Sequence, residues 1–354
     1  MAESMSKMEL DISFNTPAFL GNAEQQGQWR TPPFKALIRQ WWRVVKSSQG
    51  CSLDDIRNEE SILFGAASDK NPSVSKIKLK LARWNAGNND STPFCFGKIM
   101  HPEVRQGMIE SSLYLGYGPV SINGVKQHIP ENAVNKLILL FPEKYENELI
   151  ETIKLINYFG TIGSRSRNGW GSLNIDSVKL NGKERLLNSE LSFSQINAYS
   201  EDFKELMRND WPKALGKDAN GVLIWKTTEK LNYKEVLKDL ADIKVKLRTN
   251  FKFTDGKDAL RPSYRHILAY PVTNHNIKSI DRDARNSNQL RFKVLKNASG
   301  KYYGLVFHLP CCVSDVFFKH SQSIKSSYRE LEKSVWPILH AFLDSEKCNC
   351  CRLK

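Results

Sequence analysis

Between residues 160 and 172 the chain reads Gly160-Thr-Ile-Gly163-Ser164-Arg165-Ser-Arg167-Asn168-Gly169-Trp170-Gly171-Ser, with four glycines, two arginines, three serines and no acid. These residue types suit anion capture. Glycine permits positive φ and close approach of a ligand, and successive backbone N–H groups can form an anion-binding nest. Guanidinium groups hold phosphate oxygens in pairs, and an indole offers a stacking face. The expected contacts are Gly160, Gly163, Ser164, Arg165, Arg167, Asn168, Gly169, Trp170 and Gly171. The alternative is a structural turn in which Gly160 closes a helix and Trp170 fills a core. Dinucleotide and P-loop sites need a strand before the glycines and a helix after them, and here that order is reversed.

A second candidate is the segment TPPFKALIRQWWRVVK, Thr31 to Lys46. Lys35, Arg39, Trp42 and Lys46 recur at i, i+4, i+7 and i+11, so they share one helical face with Arg43 beside them. From Gln28 to Lys46 there are five basic residues and no acidic one, which favours a face turned to RNA or to a partner over an ordinary solvated face. The alternative puts Trp42 beneath the second half of the chain. Arg282, Arg285 and Arg291, in a basic loop leading into a strand, complete the candidate RNA contacts. Lys76, Lys78 and Lys80 alternate with apolar residues, and this row serves phosphate binding or edge-strand protection equally well.

Catalysis has little to recommend it. None of the seven histidines, His101, His128, His266, His275, His308, His320 and His340, lies in the glycine segment or close in sequence to a Tyr, Lys and Ser set. Cys348, Cys350 and Cys351 with Cys311 and Cys312 lack the C-x2-C repeat of a zinc site. Asp281 and Asp283 read more simply as members of a salt-bridged loop than as Mg²⁺ ligands. The expectation is therefore a protein that is not an enzyme and carries no metal or cofactor.

The 354 residues carry 52 Lys and Arg against 38 Asp and Glu, a net charge of +14, and a polyanion is the natural partner. An odd number of cysteines, seven, without a disulfide framework points to a reducing cytoplasm. Neither a signal sequence nor a run of eighteen apolar residues occurs, so no membrane role is expected.

The elements that must position these residues are legible from periodicity. In the first half a strand is expected at Met8–Phe14, then a helix with Thr31 as N-cap and Pro32 at its first position, and strands at Ser75–Trp84 and Val134–Phe141. A helix at Tyr145–Phe159 and a strand at Gly171–Leu180 complete a β-α-β-β-α-β order, the ferredoxin-like pattern. Asn85–Pro130, rich in Gly, Pro and Asn, reads as an insertion with the composition of a mobile segment. After a polar connection at about 181–220, the second half reads as strand Gly221–Thr227, helix Tyr233–Leu247, strand Tyr264–Val272, a hairpin turning at Asn297–Lys301, and helix Ser323–Leu343 with Pro337 inside. The boundary between the two units is placed at 190/191, dividing the chain into 1–190 and 191–354.

TPAFLGNA, RTPPFKALIRQWWRVV, EESILFGAA and GTIGSRSRNGWGSL, with NSNQLRFKV and YGLVFHLP later, together resemble the first RAMP (repeat-associated mysterious protein) subunit of type III-B CRISPR effectors, the Cmr complex. The resemblance implies an α+β chain of two ferredoxin-like (RRM-like, βαββαβ) domains in tandem with insertions. It implies an RNA-binding, non-catalytic subunit that helps hold the 3′ end of the guide CRISPR RNA and capture complementary single-stranded target RNA in antiviral defence. Other RAMP subunits would be its protein partners. The rival readings are a metal-independent RAMP endoribonuclease that processes CRISPR RNA and a protein-only scaffold.

Overall fold

Strand β1 covers Met5–Phe14, where Met8, Leu10, Ile12 and Phe14 point to the core, each no more than 1% exposed, and the alternate side chains point outward. The computed structural model describes residues 3–67, 72–187, 192–253, 256, 258–281 and 283–354. Helix α1 (Thr31–Ser48) follows, then α2 (Leu53–Phe64), β2 (Lys78–Leu81), a short helix α3 (Ser111–Gly116), β3 (Asn135–Pro142), α4 (Glu146–Phe159), β4 (Leu173–Leu180) and β5 (Lys183–Arg185). Their sheet has the order β2-β3-β1-β4-β5 with every neighbour antiparallel. The second-third-first-fourth order of its four main strands is the one a split βαβ pair produces.

The same order recurs in the second half. There β6 (Ile224–Thr227), α5 (Tyr233–Thr249), β7 (Leu290–Lys296), β8 (Tyr302–His308), α6 (Gln322–Leu343) and β9 (Cys350–Arg352) form a sheet of order β7-β8-β6-β9, again antiparallel throughout. One face of this sheet, with Trp225, Phe292, Val294 and Val306, shares a core with α5 and α6. The other, with Leu295, Tyr303, Leu305 and Phe307, belongs to the core of the first half, where Trp41 stacks on Phe159 and meets Phe307. Burial on both faces explains why β8 reads as a near-continuous apolar run, whereas β7 carries Arg291 and Lys293 among its apolar residues. Each large side chain in that seam contributes roughly 1.5–3 kcal/mol, so the two halves are joined by a core as well as by a connection.

Lys293 of β7 strengthens the seam. Fully buried, it donates to the carbonyl oxygens of Ile156, Asn157, Gly160 and Leu173 at 2.5–3.2 Å. Burial pushes its ammonium pKa well down, but four carbonyl acceptors, most of them at the negative C-terminal end of α4, favour the charged form.

Several expectations are corrected. Tyr264–Val272 is not a strand: Tyr264–Leu268 is a helical turn, closed at its start by His266 Nδ1, which accepts from the Ser263 N–H at 3.0 Å. That local capping outweighs the β propensity of a run with one Ile and one Val. Thr31 is the first helical residue, and Arg30 holds the N-cap position without a side-chain cap. The strand expected over Ser75–Trp84 shrinks to four residues at a sheet edge. Among its described residues the interval 181–220 contains β5, two short helices and two strands of a small three-stranded sheet, which Gly221–Val222 completes. Cys350–Arg352, only three residues long, is the fourth strand of the second sheet. Helix α6 runs unbroken from Gln322 through Pro337 to Leu343.

Candidate nucleic-acid interface

The glycine segment leaves α4, passes beneath the second sheet and enters β4. Its shape is set by backbone constraints: Gly163, Gly169 and Gly171 have φ of +95°, +87° and +61°. At Gly171 a Cβ would lie 2.0 Å from the Ile162 carbonyl oxygen, and at Gly163 one would lie 2.7 Å from that of Phe19. Neither position can carry a side chain. The tip is formed by Ser164 and Arg165, both exposed, and Arg165 itself has φ +59°, uncommon for a residue with a Cβ. The Arg165 carbonyl accepts from the Asn168 N–H at 2.9 Å, which holds this tip.

The rest of the segment faces inward. Trp170 is fully buried, with Phe19, Phe94 and Phe96 around it at ring separations of 5.2–5.8 Å. It is therefore a core residue and not the stacking face expected of it. Phe94 and Phe96 come from the 85–130 insertion, so this insertion is packed onto the glycine segment, contrary to the mobile character its composition implied. Gly160 and Gly171 are buried as well. Asn168, 9% exposed, donates to the Leu115 carbonyl and accepts from Lys244 Nζ, each at 2.7 Å. Arg167 Nη1 donates to the Asn288 carbonyl at 2.8 Å, and the Arg167 carbonyl accepts from the Phe292 N–H at 3.0 Å.

The basic face of α1 is spent inside the protein. Glu60, 3% exposed, accepts from both Arg39 and Arg43, and Arg43 also lies 4.0 Å over the Trp211 ring. Lys46, buried, pairs with Glu148 at 2.9 Å and Glu59 at 3.0 Å. Trp42 is 0% exposed and donates to Glu148 at 2.8 Å. Lys35 is half-buried, and burial with the neighbouring Arg39 lowers its pKa. Acids distant in sequence have neutralised Arg39, Arg43 and Lys46 of a stripe that contains none. The face turned to RNA or to a partner expected here is thus corrected, at Arg39, Trp42, Arg43 and Lys46, to an internal network with Glu59, Glu60 and Glu148, while Lys35 has no carboxylate ion pair among the described residues.

A different set of cations has no such partners. Lys244 and Arg248 of α5, Arg165 and Arg167 of the glycine segment, and Arg291 of β7 form no carboxylate ion pair among the described residues. Instead, Lys244 faces Arg248 and Arg165, and Arg291 faces Arg167. Burial, then Arg248 and Arg165, push Lys244 down to about 7. Burial, then Arg167, push Arg291 down to about 9, and its Nε has no hydrogen-bond partner. Burial lowers the Arg167 guanidinium too. Guanidinium groups stay charged in proteins, so these shifts express an electrostatic cost that an anion would relieve. Tyr114 of α3 lies beside Lys244, 5.8 Å from ring centroid to Nζ, and His101 packs edge-on against Tyr114 at 5.4 Å.

Sequence periodicity passed over Lys244 and Arg248. Their signal was present, since neither has an acid three or four positions away on α5, whereas Lys246 pairs with Asp242. Of the remaining candidates, Arg285 donates to the Ala284 carbonyl in a separate groove with Asp281, Asp283, Lys319 and His320, and Arg282 lies outside the described residues. Lys78 and Lys80 are exposed on the edge strand, and Lys76 pairs with Glu3. No cluster of three or more potential metal ligands occurs among the described residues, and no described helix is long and apolar enough to cross a membrane.

An α+β chain with a glycine segment clamped between two antiparallel sheets is the class of protein defined so far. Residues 11–174, from within β1 to the start of β4, match the model of the RAMP superfamily. Among solved structures, the chain is similar to Cmr1 from Pyrococcus furiosus in its apo form, with 18% identity over 93% of this chain and 96% of that chain and a TM-score of 0.47. It is also similar to a chain of the type III-B Cmr-beta complex bound to cognate target RNA, with 12% identity over 94% of this chain and 100% of that chain and a TM-score of 0.49. No curated protein matches the sequence.

Proposed function

We propose that this chain is a non-catalytic RNA-binding subunit of a type III-B CRISPR ribonucleoprotein, built from two ferredoxin-like domains in tandem. In this reading it helps hold the 3′ end of the guide RNA and capture complementary target RNA, with other RAMP subunits and those RNAs as partners. The observation that carries the reading is a set of five cations, Lys244 with Arg248 and Arg165, and Arg291 with Arg167, which have no carboxylate ion pair among the described residues and lie in or beside a RAMP-type glycine segment. Phosphates would supply the missing counter-charge. The RNA surface is thus the junction of α5, the glycine segment and β7, while α1 contributes stability. Binding of labelled single-stranded RNA by the purified chain across a salt series tests this. Affinity should fall steeply with salt, and Arg165→Ala with Lys244→Met should flatten the slope. Undiminished binding by that double variant would remove the site.

A second reading, endonucleolytic processing, is favoured by the placement of His101 against Tyr114 beside Lys244, a group of acid–base side chains that sequence separation had hidden. RNA cleavage in EDTA that disappears in His101→Ala would replace the non-catalytic reading.

A further inference from the structure

Beyond the row of cations, one aromatic side chain is presented outward at its edge. Tyr117, directly after α3, is 65% exposed, although the neighbouring aromatic residues Phe94, Phe96 and Trp170 are packed together. Its position is fixed from behind. Leu115 accepts from Asn168, Gly116 packs so closely that a Cβ would meet Val120 at 2.5 Å and Trp170 at 3.2 Å, and Tyr117 itself (φ −44°, ψ 125°) precedes Gly118 at φ +106°. Tyr117 is thus extended, and the chain reverses direction at Gly118, whose positive φ favours glycine, ahead of Pro119 with its restricted φ. The turn sits against the tip of the glycine segment: a Cβ on Gly118 would lie 3.6 Å from Arg165 Nη2, and the Tyr117 ring is near enough to influence the Arg165 charge.

We infer that Tyr117 is a stacking platform for one unpaired base, so that the site takes single-stranded RNA with its phosphate on Arg165 and Lys244 and discriminates against duplex. An exposed ring costs hydration of its apolar face, and a turn that fixes its position lowers the entropy lost when a base stacks on it. In an A-form duplex the bases are stacked on one another and unavailable to a protruding ring, whereas a single strand can offer an unstacked base. The inference rests on the RNA-binding reading and adds to it the residue that receives an unstacked base and so favours a single strand over a duplex.

The test measures binding of a labelled 12-nucleotide RNA, single-stranded and as its blunt duplex, to the full chain and to Tyr117→Ala, Tyr117→Phe and Arg165→Ala. Tyr117→Ala should weaken single-strand binding about tenfold, leave duplex binding within about twofold and keep the unfolding midpoint, while Tyr117→Phe retains the affinity. If Tyr117→Ala binds the single strand normally while Arg165→Ala is weakened, stacking is overturned and the RNA site stands. Equal weakening toward single strand and duplex overturns the strandedness claim. Full affinity in both Tyr117→Ala and Arg165→Ala overturns this inference together with the RNA site.

Discussion

Lys244 makes the proposed site sensitive to pH in a direction that can be worked out beforehand. In the free protein its ammonium titrates at about 7, where the ordinary lysine value is 10.5, because it is buried and faces Arg248 and Arg165. A phosphate beside it would raise that value back toward the ordinary 10.5. Between these two values the complex holds a proton that the free protein has lost, so affinity is full below pH 7 and is lost as pH rises. With the bound ammonium restored to the ordinary value, the linkage weakens binding by about 20-fold from pH 6.5 to pH 8.5. The assay is fluorescence anisotropy with a labelled single-stranded RNA at constant ionic strength, since salt alone would move the affinity. Lys244→Arg should bind at every pH with almost no slope, because a guanidinium stays charged throughout. Lys244→Met should bind weakly with little slope. His101, whose pKa burial lowers, remains in both variants and serves as an internal control. A flat profile in the wild type, or a wild-type slope surviving in Lys244→Met, would refute the reasoning.

The α1 network gives the opposite expectation. Arg43→Ala should lower unfolding free energy toward the roughly 3–5 kcal/mol cost of stripping a partner from a buried carboxylate, moderated because Arg39 still holds Glu60, and RNA affinity should be unchanged. Lys293→Met should cost on the order of 3 kcal/mol in chemical denaturation, because the carbonyls of Ile156, Asn157, Gly160 and Leu173 lose their shared donor. Gly171→Ala forces a Cβ to 2.0 Å from a carbonyl oxygen at φ +61° and should lower the thermal midpoint by several degrees. Gly50→Ala, at φ +78° with open space around it, should cost about 1 kcal/mol. Equal midpoints for the two glycine variants would mean that close packing at Gly171 has been misjudged.

Where a segment has one environment along its length, the sequence by itself determined its structure. The alternation Met8, Leu10, Ile12, Phe14 made β1, the 3.6-residue repeat of Phe34, Leu37, Ile38, Trp41 and Val45 made α1, and Asn297–Lys301 turned a hairpin. These signals carried the order of the four main strands, α1 and α4 in the first half and the position of the glycine segment between α4 and β4, but not helices α2 and α3. Short or locally capped elements escaped, among them β9 and the turn at Tyr264–Leu268, because three to five residues hold too little periodicity to outweigh neighbouring interactions.

The site depended on tertiary structure for a different reason, which is that charge is neutralised by space and not by sequence distance. Arg39 and Arg43 sit in an acid-free stretch, yet Glu60, from another helix, occupies both of them. Trp170, in the most ligand-like segment of the chain, is claimed by Phe19, Phe94 and Phe96 and has no exposed face. Lys244, on a helix read only for its apolar side, stands opposite Arg165 because Asn168 draws α5 and the glycine segment together. Composition determined that this protein carries surplus positive charge. Only the packing of two sheets against one another decided which of those charges remain without a partner, since a salt bridge forms wherever folding brings a carboxylate within about 4 Å, from whatever part of the chain it comes.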